Sequence, residues 1–274
     1  VAFPLIDWKS FGTKLVNDLG LKHSFPTTQI EHYDHLASLC DCLSRINTII
    51  IDFNRDIWTY ISMDYFKQKI KKNEVGSSAM PHKKNPVLTE NLTGLARLIR
   101  MAVVPAMENV ALWHERDISH SSVERMIGPD STITLDFALN RLASVVEKLV
   151  VYPENMMRQL NEFGGIHDAQ RVLLFLTQND VSREDAYKIV QRNAMRVWKS
   201  FGIDPDNPDS TPALDALEKE AAEHDNRLFF FLSKDEGLTE VLDVNKLADL
   251  LNEDSISYHS KSVDTIFNRV FGGA

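Results

Sequence analysis

The sequence predicts an all-α protein, a long-helix central bundle followed by a smaller carboxy-terminal helical domain, on three observations. Apolar residues from Leu36 to Tyr60 recur in heptads. The three-and-four apolar spacing of a helix returns twice more, after Pro86 and after Ser119. No alternating apolar and polar run is long enough for a sheet.

The first long helix is expected from about residue 29 to about residue 71, with Leu36, Leu43, Ile50 and Ile57 at one heptad position and Leu39, Ile46, Phe53 and Tyr60 at the other. At ~1.5 Å per residue it would run about 60 Å, so it needs long neighbours. The second helix begins with Pro86 in its first turn after Asn85. It continues through Leu88, Leu92, Leu95, Ile99, Ala102, Ala106 and Val110, with a kink expected at Pro105. The third runs from near Ser119 to about Val151, broken or bent at Gly128-Pro129, and carries Leu135, Ala138, Leu142, Val145 and Leu149 on one side. The valines near its end suit a strand by composition, but the helical period runs through them. After Tyr152-Pro153 the elements shorten, with helices expected near 154–163, 167–178, 183–200, 211–223 and 258–271. Ser182, followed by Glu184 and Asp185, reads as the cap of the third of these. The chain therefore divides into 1–152, part of a central bundle, and 153–274, a second packing unit.

Composition narrows the function. The 274 residues are 43% apolar with 11 glycines and 10 prolines, which suits a globular chain and excludes a linker-rich or repeat protein. A net charge of -9 argues against nucleic-acid binding, so an anionic ligand needs a local basic patch. One lies between Lys67 and Lys84, six lysines against a single acid, Glu74. Cys40 and Cys42, two apart on a helix, cannot pair with each other and are expected to be buried thiols. His32, His35, His114 and His120 lack a His-Glu-x-x-His pattern, so no metal is expected. The opening Val1-Ala2-Phe3-Pro4-Leu5-Ile6 is too short to span a bilayer or to form a signal-peptide core, and no targeting segment is seen. With few cysteines, that points to the cytoplasm. The start at Val1 rather than Met is expected to be a cut.

Two segments carry chemistry. Gly76-Ser77-Ser78-Ala79-Met80-Pro81-His82-Lys83-Lys84-Asn85-Pro86 connects the first two long helices. Trp113-His114-Glu115-Arg116-Asp117-Ile118-Ser119-His120-Ser121-Ser122-Val123-Glu124-Arg125 joins the second to the third, and its Arg forks and helix-start N–H groups suit phosphate. Read without a function, the first is a helix hairpin capped by Asn85. The second is then a helix capped by Ser119, with both arginines paired to neighbouring acids, and Glu90 is a first-turn acid favouring the helix dipole.

The first segment resembles the signature loop of the fumarase and aspartase superfamily, whose members eliminate fumarate from succinyl-type substrates on long packed helices. The resemblance implies that Ser77 is the general base. Backbone N–H groups and nearby cations would stabilise its alkoxide as it takes the substrate Cβ proton. Ser78 stands beside it for substrate binding. Lys83 and Asn85 would hold the carboxylate whose charge grows as the carbanion forms, and Glu90 would orient the general-acid histidine. The second segment resembles the adenylosuccinate lyase branch, in which Arg116, Ser121 and Arg125 would bind the nucleotide phosphate and ribose. His82 also suits that branch. Gln29, in Thr27-Thr28-Gln29-Ile30-Glu31, aligns with a glutamine that contacts the succinyl moiety.

The resemblance runs from about residue 7 to the end and is strongest from Thr27 to Arg125. It implies no cofactor and a homotetramer with sites shared between three subunits, so that Gln29, Ser77 and Arg116 need not meet within one chain. About two-fifths of a family member, including the general-acid histidine, is expected to lie outside this chain, which alone would be inactive. The expected substrates are adenylosuccinate and the succinylated aminoimidazole carboxamide ribotide of purine synthesis. Alternatives are argininosuccinate lyase, a carboxymuconate cycloisomerase, or a helical assembly module without chemistry.

Overall fold

The structure, a computed structural model, describes residues 3–69, 80, 85–207, 209–252 and 255–272. The chain forms two compact units, residues 1–152 and 153–274. Both are helical, and the all-α class holds.

The first unit opens with α1 (Trp8–Asp18), capped by the Asp7 carboxylate accepting from the Ser10 N–H. Its frame is α2 (Asp34–Ser62), α3 (Val87–Arg100), α4 (Val103–Glu108) and α5 (Ser119–Glu147). Helix α2 lies along α3 and α4, and α5 packs on both. Fully buried alanines at 37, 96, 106 and 138 let the helices approach closely. Of the two heptad positions in α2, one is covered: Ile50 and Ile57 are buried and Leu43 is half-buried. The other leaves Leu39, Phe53 and Tyr60 exposed. Asn47 and Asn54 are buried instead, each donating from Nδ2 to the carbonyl four residues back, Leu43 O at 2.8 Å and Ile50 O at 2.7 Å.

Several boundaries differ from expectation. Helix α2 spans 29 residues rather than the forty or so expected, about 44 Å at ~1.5 Å per residue. It stops because Asp64 turns left-handed at φ 58°, a conformation Asp tolerates better than most residues. Beyond it β1 (Phe66–Gln68) pairs antiparallel with β2 (Leu149–Val151), Phe66 opposite Val151. The helical period read through Val150 and Val151 was therefore misleading at that end. Pro86 is the N-cap of α3 rather than a residue of its first turn. The kink expected at Pro105 is a full break between α3 and α4. Pro105 cannot donate to the Met101 carbonyl, which instead accepts from Val104 N at 3.3 Å. Pro129 sits inside α5. Cys40 is buried as expected, but Cys42 is exposed.

The second unit holds α6 (Pro153–Asn161), α7 (Ala169–Gln178), α8 (Arg183–Ser200), α9 (Ala216–Ala221), α10 (Arg227–Ser233), α11 (Glu236–Thr239), α12 (Val244–Asn252), α13 (Ser255–Ser260) and α14 (Val263–Phe271). Ser182 caps α8 as expected, its Oγ accepting from Asp185 N at 3.1 Å. Helices α10 to α12 were not anticipated, yet they carry Leu228, Phe231, Leu232, Leu238 and Leu247 into one core with Val172, Leu176 and Val197. Each such side chain, fully buried, contributes about 1.5–3 kcal/mol. Gly165, at φ 81°, is required beneath this core, because a Cβ there would strike the Asn226 side chain that caps α10.

Candidate functional site

The segment joining α4 to α5 is organised by Asp117. Its Oδ2 accepts from the Trp113 N–H at 2.7 Å and its Oδ1 from the Ser119 N–H at 2.7 Å, with the Ser119 hydroxyl also on Oδ1. These bonds, the Ser119 hydroxyl first, hold the Asp117 carboxyl below the usual carboxylate range. The capping role expected of Ser119 therefore belongs to Asp117: Ser119 is the first helical residue, and Ile118, at the N-cap, offers no side-chain acceptor.

Tyr33, immediately before α2, packs its ring on that of His120 in the first turn of α5, with centroids 4.6 Å apart. Burial first, and then Glu124, raise the pKa of Tyr33. His120 is buried, and its Nδ1 has no partner among the described residues. The Thr28 hydroxyl reaches the Ile30 carbonyl at 3.1 Å and the Glu115 carbonyl at 3.4 Å. The segment bearing Gln29 is thereby brought against the segment bearing Arg116 within one chain.

The residues singled out from the sequence fare differently. Ser77, Ser78, Lys83 and most of the lysine-rich patch lie outside the described residues. Gln29 is exposed, in a bend before α2 rather than on the helix. Asn85 is half-buried and its carbonyl accepts from Val87 N at 2.9 Å. Glu90 stands in the first turn of α3, where its Oε1 accepts from the Trp58 indole N–H at 3.3 Å. Arg116 and Arg125 are exposed and Ser121 is half-buried. Neither arginine is paired with a carboxylate among the described residues, contrary to the pairing expected of a purely structural segment. Tyr33, His120 and Glu124 were not singled out as site residues. Tyr33 and His120 are neighbours in space but distant in sequence, and no local pattern marks them.

In the second unit a buried polar cluster surrounds Asp168. The Ser255 hydroxyl donates to Asp168 Oδ1 at 2.9 Å, Arg171 lies 3.7 Å from the same oxygen, and His167 Nε2 lies 3.5 Å from Oδ2. The serine addresses the carboxylate rather than the imidazole, so this is not the geometry of an activated nucleophile. Among the described residues no group of three or more His, Cys, Asp and Glu could hold a metal, and no helix is long and apolar enough to cross a membrane.

Residues 5–100 match a family model described as lyase, and residues 165–270 match one described as adenylosuccinate lyase C-terminus. Adenylosuccinate lyase from Helicobacter pylori is 46% identical over 263 residues, covering 93% of this chain and 54% of the relative. The Bacillus subtilis adenylosuccinate lyase is 39% identical over 254 residues, covering 92% and 53%. The chain belongs to the adenylosuccinate lyase family. It spans about half the length of the curated relatives it matches. Two solved structures share the helical fold. One is a fumarate lyase from a Mesorhizobium species (TM-score 0.68, 18% identity, 95% of this chain and 52% of that one). The other is the 3-carboxy-cis,cis-muconate lactonizing enzyme of Pseudomonas putida (TM-score 0.62, 22% identity, 88% and 48%).

Proposed function

We propose that this chain forms part of a lyase that breaks the C–N bond of adenylosuccinate and of the succinylated aminoimidazole carboxamide ribotide, releasing fumarate. Ser77 takes the Cβ proton, the electron pair left behind forms the new C=C bond, and the C–N bond breaks. The departing nitrogen then takes a proton from a histidine outside these 274 residues. Lys83 and Asn85 carry the charge growing on the neighbouring carboxylate, with Ser78 beside the base. Glu90 orients the histidine. Gln29 contacts the succinyl group, while Arg116, Ser121 and Arg125 take the phosphate and ribose. The reaction needs no cofactor, and the enzyme is a cytoplasmic homotetramer with shared sites.

One observation carries the reading. Arg116 and Arg125 flank the start of α5 with no carboxylate paired to either among the described residues, although Glu115, Asp117 and Glu124 are their sequence neighbours. Two unpaired guanidinium groups beside helix-start N–H groups suit a phosphate dianion. The matched relatives named adenylosuccinate lyase support the same substrate class.

The test is Ser77→Ala in the full-length protein carrying this chain. Fumarate release should fall by at least about a thousandfold, on the order of losing an activated base, and normal turnover would sink the assignment. AMP should raise the melting temperature of the assembled protein, and the absence of any shift would remove the nucleotide from the reading. The 274 residues alone are expected to release no fumarate.

A further inference from the structure

Two elements that precede α3 in the chain reach into its first turn. Thr89, fully buried there, donates from its hydroxyl to the Pro86 carbonyl at 2.8 Å and accepts from Gln68 Nε2 on β1 at 3.2 Å. These bonds fix the backbone that carries Glu90. The Glu90 side chain needs a hold of its own, because it is exposed, turns about several single bonds, and has no Lys or Arg paired with it among the described residues. Trp58 on α2 supplies that hold, its indole N–H donating to Glu90 Oε1 at 3.3 Å.

We infer that Trp58 is a positioning residue of the reaction: its indole N–H holds the Glu90 carboxylate at the first turn of α3, in the place from which Glu90 orients the general-acid histidine. This rests on the role proposed for Glu90 above. Trp58 follows buried Ile57 on a helix that lies along α3, so its ring is carried by a packed element rather than by a loop. The chemistry of the donor suits the task. An indole has one N–H, no acceptor and no charge, and it turns about only two bonds. It therefore orients a carboxylate without neutralising it, and a single bond to Oε1 leaves acceptor positions over for an imidazole. A Lys or Arg in the same place would pair with Glu90, and its charge would favour loss of the proton that the histidine must deliver. Trp58 acts through Glu90 and need not touch the substrate.

The experiment is a cycle of Trp58→Phe, Glu90→Ala and the double variant in the full-length protein. It reads kcat and KM for fumarate release, with sedimentation as the check on assembly. Trp58→Phe keeps an aromatic ring on α2 and removes the N–H. Its kcat should fall about tenfold, the scale of a small misplacement of an orienting group, with KM within about twofold of the parent. Glu90→Ala should lower kcat about a hundredfold. In that background Trp58→Phe should change kcat by less than about twofold, because no carboxylate remains to be held. The non-additivity is decisive, since a side chain that merely packs would cost the same factor in both backgrounds. That equal cost, a Trp58→Phe protein as active as the parent, or a loss of kcat that comes with disassembly would overturn the inference while leaving the role of Glu90 standing. Glu90→Ala turning over like the parent, or a parent that releases no fumarate from adenylosuccinate, would overturn both.

Discussion

The two units bury their apolar residues in different ways. In the carboxy-terminal unit a single cluster gathers Val172, Leu176, Val197, Leu228, Phe231, Leu232, Leu238 and Leu247. Among the described residues of the bundle the buried side chains gather in smaller clusters: around Ile50 and Ala96, around Ala37 and Ala102, and around Leu92 and Ala138. Its helices also keep large apolar side chains in solvent, Ile133 at 68% and Leu98 at 62% exposure among them. Isolated exposed leucines are ordinary, but exposed apolar residues recurring along α2, α3 and α5 are not. The cluster of the carboxy-terminal unit is closed by that unit's own helices, although its last helix, α14, leaves Phe267 and Phe271 exposed, while the bundle helices are apolar on more than one side. The proposed homotetramer accounts for that difference, since neighbouring copies would cover the outer stripes.

The largest effect expected to sharpen the contrast is Phe231→Ala. The side chain is 1% exposed at the centre of the carboxy-terminal core, and its removal should cost about 3–5 kcal/mol. Chemical denaturation followed through Trp198, which lies in that unit, should show the midpoint fall. An unchanged midpoint would mean that the core is not the self-contained one described.

Next in size is Asp235→Ala. Asp235 is a buried carboxylate bonded to the Arg192 fork, to Asn193 Nδ2 at 2.7 Å and to the Leu238 N–H at 3.1 Å. Burial works against its charge, but Arg192 and Asn193 outweigh it and the carboxyl is held below its ordinary value. The loss should be about 2 kcal/mol, less than for a fully buried pair because Arg192 is half exposed. The native pKa is depressed, so this stability is present above the ordinary carboxylate range. It is lost as pH falls through the native value, below about pH 4. Urea midpoints of parent and variant should therefore differ at pH 7 and draw together as the medium is acidified past that point. A gap that persists in acid would show that the network acts through packing rather than charge.

The same contrast explains what the sequence could disclose. Periodicity marks an apolar face without saying what will cover it. The heptads of α2 therefore read equally well at Ile50 and Ile57, which neighbouring helices of the chain bury, and at Leu39 and Phe53, which they do not. The end of α2 was illegible because a left-handed Asp64, with no Gly or Pro beside it, makes the turn. The β1–β2 ribbon was illegible because three residues are too few to separate a strand period from a helical one. Of the proposed site, Arg116, Ser121 and Arg125 could be singled out because an ordered motif holds them together. Tyr33 and His120 could not be, since their ring contact exists only once the segment before α2 and the first turn of α5 have been brought together. The helices carrying Leu228 and Leu238 escaped for a different reason. They are 7 and 4 residues long, shorter than the window over which helical spacing can be read.

The smallest effect on folding, and the one that bears most directly on the contrast, is expected from Leu98→Ser and Ile133→Ser on the outer faces of α3 and α5. As exposed residues of the single chain they should change its stability by no more than about 0.5 kcal/mol. As residues covered by neighbouring copies they should weaken association, because each loses apolar area that the assembly would bury. Sedimentation of the full-length protein separates the two cases. A shift toward smaller species at micromolar concentration, with helical content retained, is the outcome that the proposed tetramer requires. If both variants assemble as the parent does, these faces are not the covering interface, and the exposed stripes of α3 and α5 lose the account given for them.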